Sequence, residues 1–218
     1  MDVSMSICCR ELKKRDVVDS SGNKIGRIND MTFTFDGKLK LSQFILGGSA
    51  WEEFLEDIRV RPDRDPVFNG SLIERLGDTI ELNTSRNDLK TTIDEDAIPS
   101  GEIRLSSLEK MNVIDENGVN VGKAVDIDFD VNGDVSLTVG GGFFEEALER
   151  IGLKADVDIL VPGTVIDRID KNIHLKVAKN ELSTTMDRAM RAPEVKKARE
   201  NHEAHKGVVK VKLFFRPM

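Results

Sequence analysis

One sequence pattern occurs twice in this chain, and the repetition constrains its architecture more than any other feature. Residues 12–37 align with residues 108–133, and nine of those 26 positions are identical. Residues 73–94 align with residues 166–187, again with nine identities, in 22 positions. The offset falls from 96 to 93 because the segment that begins at Asp36 is three residues longer in the first copy. We therefore predict two copies of one small domain, and duplication of this kind favours a binding role over a catalytic one.

The repeat also predicts the domain boundaries. The first copy spans residues 1–95, the second spans residues 102–187, and residues 188–218 form a C-terminal tail with no counterpart in the first copy. A short linker containing Pro99 and Gly101 separates the copies. Each copy is small for an independently stable domain, so we expect the copies to be stabilised by each other, by the tail or by a second chain.

Charge and hydropathy exclude several classes of protein. The net charge is −7, whereas a protein that binds duplex nucleic acid usually carries an excess of basic residues. No apolar run approaches the length of a membrane-spanning helix, and the first residues lack the pattern of a signal peptide. We therefore expect a cytoplasmic protein without a membrane span. The adjacent Cys8 and Cys9 are poorly placed for a structural disulfide, and Cys9, which aligns with Leu105, is interpreted as a core residue.

Alternation of apolar and polar residues predicts that each copy is mainly β. The dipeptides Asp36-Gly37 and Asn132-Gly133 are typical of hairpin turns. Short amphipathic helices are predicted over residues 50–58 and 143–152. In the tail, a polar helix is predicted over Ser183–His205 and a strand over Val208–Phe215. The predicted strands are Asp16–Asp19, Ile25–Phe35, Leu39–Leu46, Pro66–Arg75 and Thr79–Leu82 in the first copy, and Val125–Val131, Val135–Val139, Ile159–Arg168 and Asn172–Val177 in the second.

These elements carry a family resemblance. The segments KIGRINDMTFTFDG and NVGKAVDIDFDVNG, followed later by LIERLGDTIEL and VIDRIDKNIHL, resemble the PRC-barrel domain. The resemblance implies two tandem small, mostly antiparallel β-barrels with short helices, used as docking modules, followed here by a C-terminal helix and strand. Proteins with such domains include the cytoplasmic part of the photosynthetic reaction-centre H subunit, the C-terminal half of a bacterial ribosome-maturation factor, and archaeal cell-division proteins. The family has no catalytic residues to transfer to this chain.

Three features of the sequence are candidate sites of chemistry. Asp126, Asp128 and Asp130 are spaced to share one face of a strand, which suits either a cation site or, as we favour, a solvated face. His202 and His205 have the spacing of a metal pair on a helix, but no third ligand accompanies them in sequence. The glycines at 140–142 lack the Gly-Lys-Ser/Thr of a phosphate loop. We therefore predict no catalytic residues, no cofactor and no metal.

Aromatic residues are the best candidates for a partner-binding site. Aromatic side chains make up only 5% of the chain, yet they cluster after a glycine-rich break in each copy, Gly47-Gly48 in the first and residues 140–142 in the second. They either cap the core of each copy or anchor a protein contact. The tail strand adds a further apolar pair. The predicted contact residues are Trp51, Phe54, Leu55, Phe143, Phe144, Phe214 and Phe215.

Taken with the resemblance, these features predict a non-enzymatic interaction scaffold or adaptor. The nearest analogy is an archaeal cell-division adaptor that works with the FtsZ-type (tubulin-like) ring and its membrane anchor, and we expect self-association as a homodimer or polymer. An RNA-binding or ribosome-assembly factor remains an alternative, and the basic helix Arg188–Lys197 could serve it, although its glutamates favour a solvated face. An enzyme whose residues converge only in space also remains open.

Overall fold

A computed structural model describes residues 7–47, 65–129, 134–141, 157–182 and 211–214. Within residues 157–159 and 211–214 it describes the backbone but not the side chains. The two helices predicted over residues 50–58 and 143–152, and the tail helix Ser183–His205, lie outside the described residues.

The chain divides into two compact units. The first unit comprises Ile7–Thr34 and Lys40–Ser107. The second unit comprises Phe35–Leu39 and the described residues from Leu108 onward. Residues 95–107, which include the predicted linker, therefore belong to the first unit.

The first unit contains one β-sheet and two short helices, α1 (Cys9–Leu12) and α2, which begins at Leu105 and ends at Leu108. The strands of this sheet are β2 (Asp16–Val18), β3 (Lys24–Phe35), β4 (Leu39–Gly47), β5 (Pro66–Asn69), β6 (Ile73–Leu76), β7 (Thr79–Leu82), β8 (Lys90–Thr91) and β9 (Ile103–Arg104), and the two-residue strand β1 (Ile7–Cys8) is not part of it. They follow the order β6-β7-β2-β3-β4-β5-β8, and β9 pairs with β3 at Thr32 and Phe33. Strands β2 and β7 run parallel, whereas β2–β3, β3–β9, β4–β5, β5–β8 and β6–β7 are antiparallel pairs.

The second unit repeats this arrangement. Its strands are β10 (Asn112–Ile114), β11 (Asn120–Phe129), β12 (Val135–Gly140), β13 (Val157–Pro162), β14 (Ile166–Ile169), β15 (Ile173–Leu175) and β16 (Val211–Phe214). Their order is β14-β15-β10-β11-β12-β13-β16, and β10 and β15 again form a parallel pair. A helical turn at residues 179–182 follows the last of the repeated strands. The mainly β fold is thus confirmed, and the six repeated strands, β2–β7 and β10–β15, follow the same order in both units.

Most strand predictions are confirmed, but two long strands are wrong. The strand predicted over Pro66–Arg75 is interrupted by a 3₁₀ turn at Gly70–Leu72, and the strand predicted over Ile159–Arg168 by a 3₁₀ turn at Gly163–Val165. In the first case, the side chain of Asn69 accepts a hydrogen bond from the backbone N–H of Ser71, which ends the strand in a tight turn. The two short strands on either side of each turn, β5 and β6 in the first sheet and β13 and β14 in the second, are therefore not neighbours in the sheet.

The core of each unit consists of aliphatic and aromatic side chains from the central strands. In the first unit, Phe44 on β4 and Phe68 on β5 stack with ring centroids 4.9 Å apart. Burial of such side chains is the main source of stability in small β domains. Cys9 is fully buried at the start of α1, as predicted. Other wholly buried side chains include Val17, Met31, Phe33 and Ile80 in the first unit and Val113, Val121, Ile127, Leu137 and Ile173 in the second.

One pair of repeated glycines has a steric explanation. Gly26 on β3 has φ of +142°, and a Cβ at this position would lie 3.0 Å from the carbonyl oxygen of Gly47 on β4. At Gly122 on β11, a Cβ would lie 2.9 Å from the carbonyl oxygen of Gly140 on β12. The backbones of the two central strands approach too closely for any side chain, so both copies require glycine here.

Candidate protein-interaction site

A buried aspartate holds together the two ends of the second copy. Asp115 follows β10, and its Oδ1 accepts hydrogen bonds from the backbone N–H groups of Asn117 and Val119, at 2.9 and 2.7 Å. Its Oδ2 accepts a third from the backbone N–H of Lys179, at 2.8 Å. Burial alone would raise the pKa of Asp115, but the three donors outweigh it and hold this pKa below its ordinary value. The carboxylate thus joins the first turn of the copy to its last helical turn.

We call this set of hydrogen bonds to one buried aspartate a clamp, and the first copy has an equivalent one. Oδ1 of Asp19 accepts hydrogen bonds from the backbone N–H groups of Ser21 and Asn23, both at 2.9 Å. The Asn23 bond is the main reason that the pKa of Asp19 lies below its ordinary value, and the backbone N–H of Arg86 also contributes. Arg86 aligns with Lys179, so both clamps join the same two parts of the repeat.

A cleft lies beside the Asp115 clamp. Its volume is about 550 Å³, and it lies between the turn after β10 and the helical turn at residues 179–182. Val119 at its rim is 42% exposed. Because its carboxylate is already hydrogen-bonded, Asp115 positions this part of the surface and does not offer a vacant ligand group.

A second buried aspartate fastens the start of the second repeat to the first sheet. Oδ1 of Asp30 on β3 accepts hydrogen bonds from the backbone N–H groups of Met31 and Ser106, at 2.9 and 3.1 Å. Its Oδ2 accepts one from the Ser106 hydroxyl at 2.7 Å. Next to these bonds, β9 pairs with β3 through Thr32 opposite Arg104. By repeat alignment β9 begins the second copy, yet it adds to the sheet of the first.

The prediction of a solvated acidic face on β11 is wrong. Asp126 and Asp128 are both buried, with 5% and 3% of their surface exposed. Oδ1 of Asp126 accepts the backbone N–H of Ile127 at 2.8 Å, and Oδ2 of Asp128 accepts the Thr138 hydroxyl at 2.6 Å. Asp126 and Asp128 pair with β12 in regular register, so they share one face as expected, but all residues from Asp126 to Phe129 are buried and neither face is solvated. Asp130 lies outside the described residues.

One edge of each sheet is polar in both copies. In the first sheet the outer strand is β6, where Arg75 forms an ion pair with Glu81 that lowers the pKa of Glu81. At the equivalent place on β14, Nη2 of Arg168 lies 3.1 Å from Nδ1 of His174, whose Nε2 lies 3.2 Å from Oδ1 of Asp170. Short, charged outer strands oppose unspecific addition of further strands. These edges are therefore poor candidates for a sheet-to-sheet contact.

The opposite edges differ between the copies. In the first sheet, β5 is covered by β8, which runs antiparallel to it and pairs Val67 with Lys90. In the second sheet, β13 is covered by β16, which runs parallel to it and pairs Leu160 with Phe214. Val67 and Leu160 are equivalent in the repeat alignment. The tail strand therefore occupies the position that a strand of the repeat itself occupies in the first copy.

The predicted contact residues fall mostly outside the described residues. Phe214 is the last residue of β16, in the strand predicted over Val208–Phe215. The other six predicted contact residues lie outside the described residues: Trp51, Phe54, Leu55, Phe143, Phe144 and Phe215. The structure thus leaves the aromatic site a prediction and brings only Phe214 to a described sheet edge. Among the described residues, no group of three or more His, Cys, Asp or Glu side chains is placed to hold a metal ion.

Sequence reasoning missed the roles of the two clamps and of Ser106. The identity of Asp19 and Asp115 in both copies, each three residues before a glycine, was a visible signal, because Asp commonly accepts hydrogen bonds from backbone N–H groups two residues on. Ser106 carried no comparable signal, since it aligns with Arg10 in the first copy.

Comparison with known families agrees with this fold. Residues 100–182 match the PRC-barrel domain, so the second copy contains this domain. No curated protein matches the chain. PRC-barrel domains are generally non-catalytic modules that mediate protein interactions. Within the described part of the chain, no helix has the length and hydropathy needed to cross a bilayer.

Proposed function

We propose that the chain is a non-enzymatic adaptor made of two PRC-like modules. The observation that carries the proposal is the shared topology: a sheet with the same order of repeated strands occurs in both units, and one of them contains a matched PRC-barrel domain. We extend the assignment to the first copy because its clamp, glycines and parallel strand pair are equivalent to those of the second. Two related docking modules on one chain suit a protein that links partners.

The partner class that we propose is a cell-division assembly. The resemblance to archaeal cell-division adaptors points to proteins of the FtsZ-type ring and its membrane anchor, with recruitment of this chain to the division site. The net charge of −7 supports protein partners over nucleic acid. We propose Trp51, Phe54, Phe143 and Phe144 as contact anchors, because they follow the glycine-rich break at corresponding places in both copies.

Affinity purification from the organism that encodes the chain tests this proposal. Tagged chain would be captured at low and at high salt, with protein partners identified and RNA quantified in both eluates. We expect division-ring proteins at both salt concentrations and little RNA at high salt. Ribosomal RNA or ribosomal proteins that persist at high salt would contradict the proposal and favour the ribosome-assembly alternative.

A further inference from the structure

The connection that precedes β16 distinguishes it from its counterpart β8. In the first copy, residues 83–89 join β7 to β8, so β8 is held close to its own sheet. In the second copy, residues 176–210 separate β15 from β16. The effective concentration of a tethered segment falls as its tether lengthens, roughly as the −3/2 power of length once the tether spans the sites. A second chain therefore competes for the position of β16 far more readily than for that of β8.

The direction of β16 agrees with a long connection. Parallel strands cannot be joined by a tight turn and need a connection of a dozen or more residues. Val157, Asp158, Ile159 and Leu160 of β13 pair in register with Val211, Lys212, Leu213 and Phe214. When β16 leaves, the backbone N–H and C=O groups of this edge of β13 lose their partners, and an edge in that state binds an added strand.

We propose that β13 is a strand-acceptor site and that its occupant in an assembled state is β16 of a second copy of this chain. The fit between site and occupant is already present within one chain, because β16 pairs along four residues of β13. A second copy presents the identical strand. Exchange of β16 between chains therefore creates a dimer when it is reciprocal and a linear polymer when it is not. This inference rests on the proposed function, since it supplies the contact for self-association.

Disulfide trapping between two differently substituted chains tests the exchange. Ile159 and Leu213 are Cα partners across the pair, and neighbouring strands lie within the distance that a disulfide spans. One chain carries Ile159→Cys and the other Leu213→Cys, both in a Cys8→Ser background where the remaining Cys9 is fully buried. The matched control mixes Val67→Cys and Lys90→Cys chains, which probe the equivalent pair of β5 and β8.

We expect the mixed Ile159→Cys and Leu213→Cys chains to form a disulfide-linked heterodimer whose yield rises with protein concentration and exceeds that of the control mixture at least several-fold. A yield no greater than that of the control would overturn the exchange, whether or not a chain carrying both cysteines closes on itself. The proposed function is judged separately by partner capture: division-ring proteins recovered with the wild-type chain would sustain it even if β16 never leaves its own sheet.

Discussion

Asp115 and Lys179 are joined by a 2.8 Å hydrogen bond that ties the first turn of the second copy to its last helical turn. The donor is a backbone N–H, so the bond depends on the carboxylate and not on the lysine side chain. The equivalent Asp19 and Arg86 are linked in the same way. The clamp is thus a property of the repeat, and it sets the two chain segments that border the cleft beside Val119.

Replacing Asp115 by Asn should destabilise the second unit. The amide keeps one acceptor oxygen but directs an NH₂ group at backbone donors, so at least one of three bonds is lost. We expect a decrease of about 1–3 kcal/mol in the free energy of unfolding, measured by urea denaturation. Glu116→Gln is the matched control, because Glu116 is the adjacent, exposed carboxylate. Equal stability of the two variants would show that the clamp contributes nothing.

The clamps should also make stability depend on pH. The pKa values of Asp19 and Asp115 lie below the ordinary value of 3.8 in the folded state, so the unfolded chain binds protons more readily. Their stabilisation is therefore fully present above 3.8 and is lost as pH falls through the folded pKa. We expect the difference in unfolding free energy between the wild-type chain and Asp115→Asn to shrink on acidification. A difference that is constant from neutral pH to pH 3 would contradict this assignment.

Ser106→Ala should weaken the attachment of β9 to the first sheet. The change removes the hydroxyl donor to Asp30 while leaving the backbone N–H donor in place. We expect a loss of about 1–2 kcal/mol in unfolding free energy, together with faster hydrogen exchange of the amides in β9. The exposed neighbour Ser107 provides the control substitution Ser107→Ala. Unchanged exchange in β9 would mean that the Asp30 contact does not hold this strand.

A further prediction concerns two of the proposed aromatic contact residues, Trp51 and Phe144. If Trp51 and Phe144 anchor a contact, Trp51→Ala or Phe144→Ala should weaken association by about 2 kcal/mol or more while the melting temperature stays near that of the wild type. If they cap the core instead, the same changes should cost about 3–5 kcal/mol of stability. Binding and thermal unfolding measured on the same variants separate the two outcomes. Lost stability with unchanged affinity of the folded fraction would remove both residues from the site.

Sequence patterns predicted the parts of the fold that depend on neighbouring residues. The hairpin between β3 and β4 turns at Asp36-Gly37, where Gly37 has φ of +88°. The duplication agrees with the shared order of the six repeated strands, because identical turn residues and similar apolar positions direct both copies to the same pairing. The two 3₁₀ turns were missed because apolar residues continue on both sides of them, although Asn69-Gly70 is a common turn dipeptide.

Features that depend on distant contacts could not be read from the sequence. Alternation placed Asp126 and Asp128 on a solvated face, but this part of β11 is buried on both faces, and the two carboxylates accept hydrogen bonds from the Ile127 N–H and the Thr138 hydroxyl. The addition of β9 to the first sheet depends on Ser106 meeting Asp30, two residues that are remote in sequence. Likewise, the strand pattern of the tail predicted β16 but not that it would cover β13.

Sedimentation velocity over a concentration series tests the central claim, that this chain associates by pairing of β16 with β13 of a second copy, most directly. The wild-type chain should show a sedimentation coefficient that rises with concentration. Lys212→Pro/Leu213→Pro removes two adjacent N–H groups from β16 and should abolish the rise, whereas the control Lys212→Val/Leu213→Val keeps both N–H groups and should preserve it. A wild-type chain that remains strictly monomeric at high micromolar concentration would contradict the account.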